Sequence, residues 1–178
     1  MSFDVSLFSF IHNLAGRSTL LDFFGVIAAA YLPYAVAAAA VIVALLQRPW
    51  KIRFQCVALV MLAVVIARGI FAEIFWFILA RPRPPLILGT DVLIAVPQNP
   101  SFPSGHATIL FALAAALYPI NRKASLWCAG GALVVSIARV FVGVHWPTDV
   151  IAGAVLGIAG AFAAKYLLER TGKEIVRG

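Results

Sequence analysis

A histidine stands where a polar, proline-containing run opens a long apolar segment. Residues 102–108 read Phe-Pro-Ser-Gly-His-Ala-Thr, so a helix breaker, a hydroxyl, a glycine and an imidazole meet at one junction. The first turn of a helix has unpaired N–H groups and partial positive charge, which suits an anion. Gly105 would let the backbone approach that anion, and Ser104 could cap the helix or bind a phosphate oxygen. An N-cap followed by a chance interfacial His106 is the alternative for this run by itself.

A second junction lies at His145, four residues before Asp149. If the turn is helical, the two side chains are neighbours, and a carboxylate on one ring nitrogen leaves the other free as a nucleophile. Arg83 and Arg139 precede the two junctions, and guanidinium groups bind phosphate oxygens in pairs. Snorkelling arginines and a proline turn with an aspartate cap are the separate alternatives. Together the five residues favour an anion over a metal cation, which arginine would repel, and they suit phosphoryl transfer.

The elements that must position these residues are strongly apolar. Of 178 residues, 63% are hydrophobic and 12% are charged, and the mean hydropathy is +0.99. Soluble domains are about half apolar, so we expect lipid as the solvent. The composition predicts an all-α integral membrane protein, with residues 1–178 forming a single domain. The net charge of +7 lies mostly in short linkers and the tail, so we expect no nucleic-acid partner.

Hydropathy divides the chain into a bundle of five or six transmembrane helices preceded by a short amphipathic helix. The first segment, of 13 residues, would reach about 20 Å as a helix, short of the roughly 30 Å bilayer core. It either lies on the membrane or forms a sixth span, and Pro33 predicts a kink in the first full span. The expected segments are residues 3–15 at the interface and spans near residues 23–46, 54–80, 104–118, 126–144 and 148–168.

Charge in the linkers predicts the orientation. Residues 48–53, residues 121–125 and the tail carry Lys and Arg and share one face if there are five spans, so they are expected to be cytoplasmic. The loop at residues 81–103 and the junction at 145–148 then lie together on the outer face. Every candidate site residue therefore falls on one membrane face, and the C-terminus is cytoplasmic.

Two further features concern the spans themselves. Gly153 and Gly157 form a small-xxx-small pair with Gly160 following, which predicts close helix packing. Arg68 and Glu73 are charged residues inside the second span, five positions apart. On an α-helix they would be separated by about 140°, so we do not expect them to pair. A functional role and an ion pair with another helix both remain open for them.

The three blocks resemble the signature of the type 2 phosphatidic acid phosphatase superfamily. That signature reads Lys-x6-Arg-Pro, Pro-Ser-Gly-His and Ser-Arg-x5-His-x3-Asp. The resemblance covers roughly residues 76–153, and its second and third blocks are specific in combination. The matching blocks in this chain are Arg83-Pro84, Pro103-Ser104-Gly105-His106 and Arg139-x5-His145-x3-Asp149.

The resemblance implies a lipid phosphatase that needs no metal and no other cofactor. His145 would be the nucleophile that forms a phosphohistidine, Asp149 would orient it, and His106 would be the general acid for the leaving oxygen. The phosphate oxygens would be held by Arg83, Arg139, Ser104 and the Gly105 N–H.

The chain departs from the signature at two positions. Trp76 stands where the family has Lys, and Ala138 stands where it has Ser. A tryptophan supplies no cation, so another residue must replace it. Arg81 is the expected replacement and a substrate-binding candidate, because Arg68 lies roughly 20 Å of helix below it.

The resemblance also implies the substrate class and the location. Small size and an outward site are similar to bacterial undecaprenyl-diphosphatases, so the expected partner is a bilayer lipid with a phosphate or diphosphate head group, in the inner (cytoplasmic) membrane. No obligatory protein partner is expected. Phosphatidylglycerophosphate, phosphatidate and lipid A are alternative substrates. Vanadium haloperoxidases have a similar site but are soluble, and an anion-binding transporter is the alternative of another class.

Overall fold

The computed structural model describes residues 3–170, and every regular element in that range is helical. The all-α expectation is therefore confirmed for the described part. The tail charges assigned to the cytoplasmic face, Lys173, Glu174 and Arg177, lie outside the described residues. The elements are α1 (Phe3–His12), α2 (Thr19–Ala30), α3 (Leu32–Leu45), α4 (Trp50–Val64), a π-helical segment (Val65–Ala72), α5 (Glu73–Ile78), α6 (Pro84–Leu88), α7 (Gly105–Leu117), α8 (Arg122–Phe141) and α9 (Pro147–Arg170).

Three helical stretches within residues 3–170 are long and apolar enough to cross a membrane. They are Trp50–Ile78, Arg122–Phe141 and Pro147–Arg170. Helices α2 and α3 make a fourth if they count as one span, bent by 41° close to Pro33, where a kink was expected. Helix α7 has 13 residues and is shorter than a full span. The expected count of five or six spans therefore stays a prediction, as does the amphipathic character of α1.

Helix α7 lies at the centre of the bundle and packs most extensively against α9 and α8. Glycines of α9 make this approach possible. A Cβ on Gly157 would lie 2.5 Å from the carbonyl oxygen of Thr108, and one on Gly153 would lie 2.7 Å from that of Ser104. The close packing predicted for these glycines is confirmed. It brings the first turn of α9 against the first turn of α7, where the Ser104 N–H donates to the Asp149 carbonyl oxygen at 3.0 Å.

The π-helical segment changes the geometry of the second span. Its i→i+5 hydrogen bonding brings residues five apart onto one face, which an α-helix does not do. Arg68 Nη1 accordingly lies 2.5 Å from Glu73 Oε1. The expectation that these two residues would not pair is wrong, because the 140° separation applied to an α-helix.

Candidate active site

The link between α8 and α9 holds His145 in a buried turn. Gly143 has a φ of +90°, a backbone angle that residues with a Cβ rarely adopt. A glycine at this position lets the chain reverse within residues 142–146. The His145 ring is almost fully buried, and its Nδ1 lies 3.4 Å from Oδ2 of the fully buried Asp149. The Trp146 N–H donates to the same carboxylate oxygen at 2.9 Å. The carboxylate is thus fixed beside the imidazole by the first turn of α9.

Arg83 approaches the opposite edge of the same ring. Its Nη1 lies 3.3 Å from His145 Nε2 and donates to the Val144 carbonyl oxygen at 2.7 Å. Asn99 holds the rest of the guanidinium: Nε donates to its carbonyl oxygen at 3.1 Å and Nη2 to its Oδ1 at 2.7 Å. The loop at residues 81–103 therefore positions a buried cation against the nitrogen of His145 that faces away from Asp149.

These side chains open onto a cavity of about 230 Å³ that is enclosed by the second span, α7, α8 and the loop. Its wall combines both histidines with three guanidinium groups, a set suited to a phosphate. Within residues 3–170, no group of three or more His, Cys, Asp or Glu side chains is placed to hold a metal ion. The residues that line the cavity are Arg68, Trp76, Arg83, Pro97, Asn99, Gly105, His106, Ile109, Arg139 and His145.

Two buried polar atoms have unused hydrogen-bonding capacity, one on Arg139, which lines the cavity, and one on Ser104, which precedes the lining residue Gly105. Ser104 Oγ and Arg139 Nε are buried and have no hydrogen-bond partner among the described residues. Arg139 Nη1 makes one long contact, 3.4 Å from the Ala29 carbonyl oxygen. Buried polar groups are normally satisfied, so two unsatisfied ones beside a cationic cavity mark a place where a ligand can bind.

Arg68 lines the cavity and Arg81 does not. Arg68 Cζ stands 4.0 Å from the Trp76 ring centroid, and Trp76 Nε1 donates to the Pro103 carbonyl oxygen at 3.0 Å. The separation of about 20 Å that favoured Arg81 was measured along the helix. The cavity, however, lies beside Trp76, within reach of the Arg68 side chain. The geometric argument for Arg81 over Arg68 is therefore corrected.

Arg81 instead stands behind Asp149. Its Nη1 donates to Asp149 Oδ1 at 2.7 Å, and its Nη2 forms an ion pair with Asp4 of α1. Asp4 also accepts from the Thr148 N–H at 3.1 Å and from the Thr148 hydroxyl at 2.7 Å. Arg81 borders a separate cavity of about 490 Å³ that it shares with Arg83 and residues 96–100 of the loop.

Sequence reasoning missed two residues of this arrangement. Asp4 had a signal, since it is an acidic residue inside a short apolar helix. Asn99 had none, because it lies in an irregular loop with several polar neighbours. Each binds an arginine that the sequence had already singled out: Asp4 binds Arg81, and Asn99 binds Arg83.

Burial sets the charge of His145. It lowers the pKa of the imidazole to about 4, and the charges of Arg83 and Arg139 act in the same direction, while Asp149 opposes them. The ring is therefore neutral near pH 7. Arg83, whose pKa burial lowers and Asp149 raises, remains a cation. A neutral imidazole beside guanidinium groups is equipped to attack an electrophilic phosphorus atom.

Known proteins are similar to this chain in sequence. A sequence model of the PAP2 superfamily matches residues 57–173. The chain is 33% identical over 162 residues to the undecaprenyl-diphosphatase of Sulfolobus acidocaldarius, covering 88% of this chain and 74% of that protein. It is 31% identical over 160 residues to the bacitracin transport permease protein BcrC of Bacillus licheniformis, covering 89% and 77% of the two chains.

A solved structure shares the fold. The crystal structure of Aquifex aeolicus LpxE superposes with a TM-score of 0.76 at 24% identity, over 92% of this chain and 95% of that one. The family model covers well over half of the chain, and its relative from Sulfolobus is a phosphatase by name. The chain therefore belongs to the PAP2 superfamily and is an integral-membrane lipid phosphatase.

Proposed function

We propose that this phosphatase hydrolyses undecaprenyl diphosphate to undecaprenyl phosphate and inorganic phosphate. The observation that carries the proposal is the position of His145 between Asp149 and Arg83, where it opens onto a cavity with further guanidinium groups. A relative that the chain covers over most of its length is named an undecaprenyl-diphosphatase. This name supports undecaprenyl diphosphate over the other candidate lipids.

The proposed reaction has two displacements at one phosphorus atom. His145 Nε2 attacks the terminal phosphorus, and the bond to the bridging oxygen breaks as His106 gives that oxygen a proton. Asp149 accepts a hydrogen bond from Nδ1–H and stabilises the positive charge that forms on the ring. Water then attacks the phosphohistidine and gives its proton to His106, which releases phosphate and restores His145.

The phosphate oxygens are held during both steps by groups that already surround the cavity. Arg83 and Arg139 supply charge, and Ser104 Oγ and the Gly105 N–H supply hydrogen bonds. The unsatisfied Arg139 Nε and Ser104 Oγ support these assignments. Arg83 Nη1 supports its own role by lying 3.3 Å from the attacking nitrogen.

The proposed topology is a single membrane-embedded domain of residues 1–178 with five spans, α7 being one of them, and α1 at the interface. The starts of α7 and α9 would face the outside of the cytoplasmic membrane, and the C-terminus would be cytoplasmic. The positions of Arg48, Arg53 and Arg122 at the other helix ends support this orientation.

The deciding experiment measures phosphate release by the purified protein in detergent micelles. The lipid panel is undecaprenyl diphosphate, phosphatidylglycerophosphate, phosphatidate and lipid A. His145→Ala is the inactive variant, and Lys123→Ala in the first turn of α8, at the opposite end of that helix from Arg139, is the matched control. We expect the highest kcat/KM on undecaprenyl diphosphate, and no phosphate release by His145→Ala. Faster hydrolysis of another lipid reassigns the substrate, and full activity in His145→Ala refutes the mechanism.

Transport is the second candidate, because one relative is named a bacitracin transport permease protein. A transporter in sealed proteoliposomes would move its anion without the nucleophile. Transport of bacitracin or phosphate that persists in His145→Ala would favour this function, whereas phosphate release from lipid without any transport would favour hydrolysis.

A further inference from the structure

The cavity has two chemically different sides. Pro97 and Asn99 come from the loop, whereas Arg68, Trp76 and Ile109 come from apolar helices. A lipid tail must leave toward the helices, where hydrocarbon surrounds the protein, and released phosphate must leave toward the loop and water. Any group between the transferred phosphate and the tail therefore faces the helix side.

Arg68, like Arg139 of α8, is a cation that an apolar helix brings to the cavity. It belongs to the π-helical segment, and its side chain is one-quarter exposed. A Cβ placed on Gly105 would lie 3.1 Å from Arg68 Nε, so the guanidinium reaches the first turn of α7 next to His106. The Trp76 ring supports one of its faces, and Glu73 binds Nη1. Within residues 3–170 the hydrogen bond of this guanidinium to Glu73 uses Nη1, and Nε and Nη2 are available for a ligand.

We propose that Arg68 determines specificity for lipid diphosphates by binding the inner phosphate, the one that stays on the lipid. This inference rests on the proposed function. His106 would protonate the bridging oxygen, and the inner phosphate attached to that oxygen would lie against Arg68. A lipid monophosphate has no group at that position and gains nothing from this cation.

Burial of an arginine inside an apolar span supports the assignment, because such a charge is costly unless it has a partner or a ligand. Glu73 binds Nη1 of this guanidinium, so among the described residues it satisfies only part of the arginine. Arg83 Nη1 lies 3.3 Å from His145 Nε2, and Arg83 and Arg139 are the groups proposed above for the transferred phosphate. Arg68 is thus the cation on the cavity wall that a second phosphate can use.

The test compares farnesyl diphosphate with farnesyl phosphate, which share one tail, in detergent micelles. The variants are Arg68→Gln, Arg68→Lys and the control Arg122→Gln, whose guanidinium stacks on Tyr118 at the far end of α8. We expect Arg68→Gln to lower kcat/KM for the diphosphate by about 10- to 100-fold, and to change it less than about threefold for the monophosphate. Arg68→Lys should fall between wild type and Arg68→Gln, and Arg122→Gln should match wild type.

An equal loss on both substrates would overturn the proposal, since Arg68 would then serve the transferred phosphate or the fold. No loss on either substrate would also overturn it. If the Arg68 variants do not fold, Glu73→Gln replaces them. Removing this counter-charge should leave Arg68 freer to bind the inner phosphate and raise the diphosphate-to-monophosphate ratio of kcat/KM by about twofold or more. An unchanged ratio would overturn the inference. Failure of the wild type to hydrolyse either substrate counts instead against the proposed function.

Discussion

Arg81 donates a 2.7 Å hydrogen bond to Oδ1 of Asp149, the carboxylate whose other oxygen faces His145. Because Asp4 forms an ion pair with the same arginine, the N-terminal helix is tied to the proposed nucleophile through two charged side chains. Asp149, Arg81 and Asp4 therefore act at increasing distance from His145, and their substitutions should have different effects.

Asp149→Asn should reduce kcat by about 10²- to 10⁴-fold, as expected when a carboxylate that orients a catalytic imidazole is lost. The amide has nearly the same shape but cannot stabilise the positive ring. Steady-state phosphate release checks the rate, and the elution profile in detergent checks the fold. Near-wild-type turnover in a well-folded variant would remove Asp149 from the mechanism.

Arg81→Ala should lower kcat and leave KM almost unchanged, because Arg81 contacts Asp149 and not the cavity that holds the substrate. A loss of roughly tenfold corresponds to one charge-assisted hydrogen bond. The measurement is a full saturation curve with the preferred lipid. A rise in KM at constant kcat would return Arg81 to substrate binding, the role first expected for it.

Asp4→Asn should destabilise the protein by about 1–3 kcal/mol, since Asp4 loses the Arg81 ion pair and weakens its bonds to Thr148 at the start of α9. Thermal unfolding in detergent measures the change as a lower Tm. Asp22→Asn is the matched control, because its carboxylate binds only the nearby Gly16 N–H in the described part of the chain. Equal Tm changes in the two variants would contradict the structural role of Asp4.

Activity should tolerate acid down to the pKa of His145. Since burial lowers this pKa to about 4, the nucleophile stays neutral at pH 5 and is lost only as the pH falls through about 4. The measurement is the dependence of kcat/KM on pH in wild type, whose acidic limb is assigned to the nucleophile. A limb near 6.5, the ordinary value for histidine, would show that His145 is not desolvated in solution.

The same shift makes stability depend on pH. Below about 6.5 the unfolded chain binds a proton at residue 145 that the native protein does not bind until about pH 4. Stability from this group is therefore complete above 6.5 and declines as the pH falls toward 4. Tm measured against pH in wild type and His145→Gln should show a smaller decline in the variant, and parallel curves would refute the contribution.

Gly157→Ala should destabilise the α7–α9 contact, because the added Cβ would meet the Thr108 carbonyl oxygen at 2.5 Å. Backbone cannot move aside cheaply, so we expect a loss of about 1–3 kcal/mol. Gly130→Ala is the control, since nothing lies within 4 Å of its Cβ position. The measurement is Tm in detergent for both variants. A Gly157→Ala variant that is as stable as Gly130→Ala would contradict the prediction.

Local blocks made much of this protein predictable. Pro103 to His106 specify a helix start, and His145 with Asp149 specify a second one, because helix breakers and i,i+4 neighbours depend on residues close in the chain. Apolar composition also indicated membrane helices, because in lipid each helix satisfies its backbone hydrogen bonds within its own segment of the chain.

Only the tertiary structure decided which cations serve the cavity. Arg68 reaches it and Arg81 turns to Asp4 and Asp149, although the sequence by itself favoured the opposite. The π-helical segment that pairs Arg68 with Glu73 is a change of helical register, and composition does not reveal it. Asp4 and Asp149 are 145 positions apart in the chain, and only packing of α1 against the start of α9 brings one arginine between them. The sequence determined the chemistry available at the helix ends, and long-range packing determined which side chains share it.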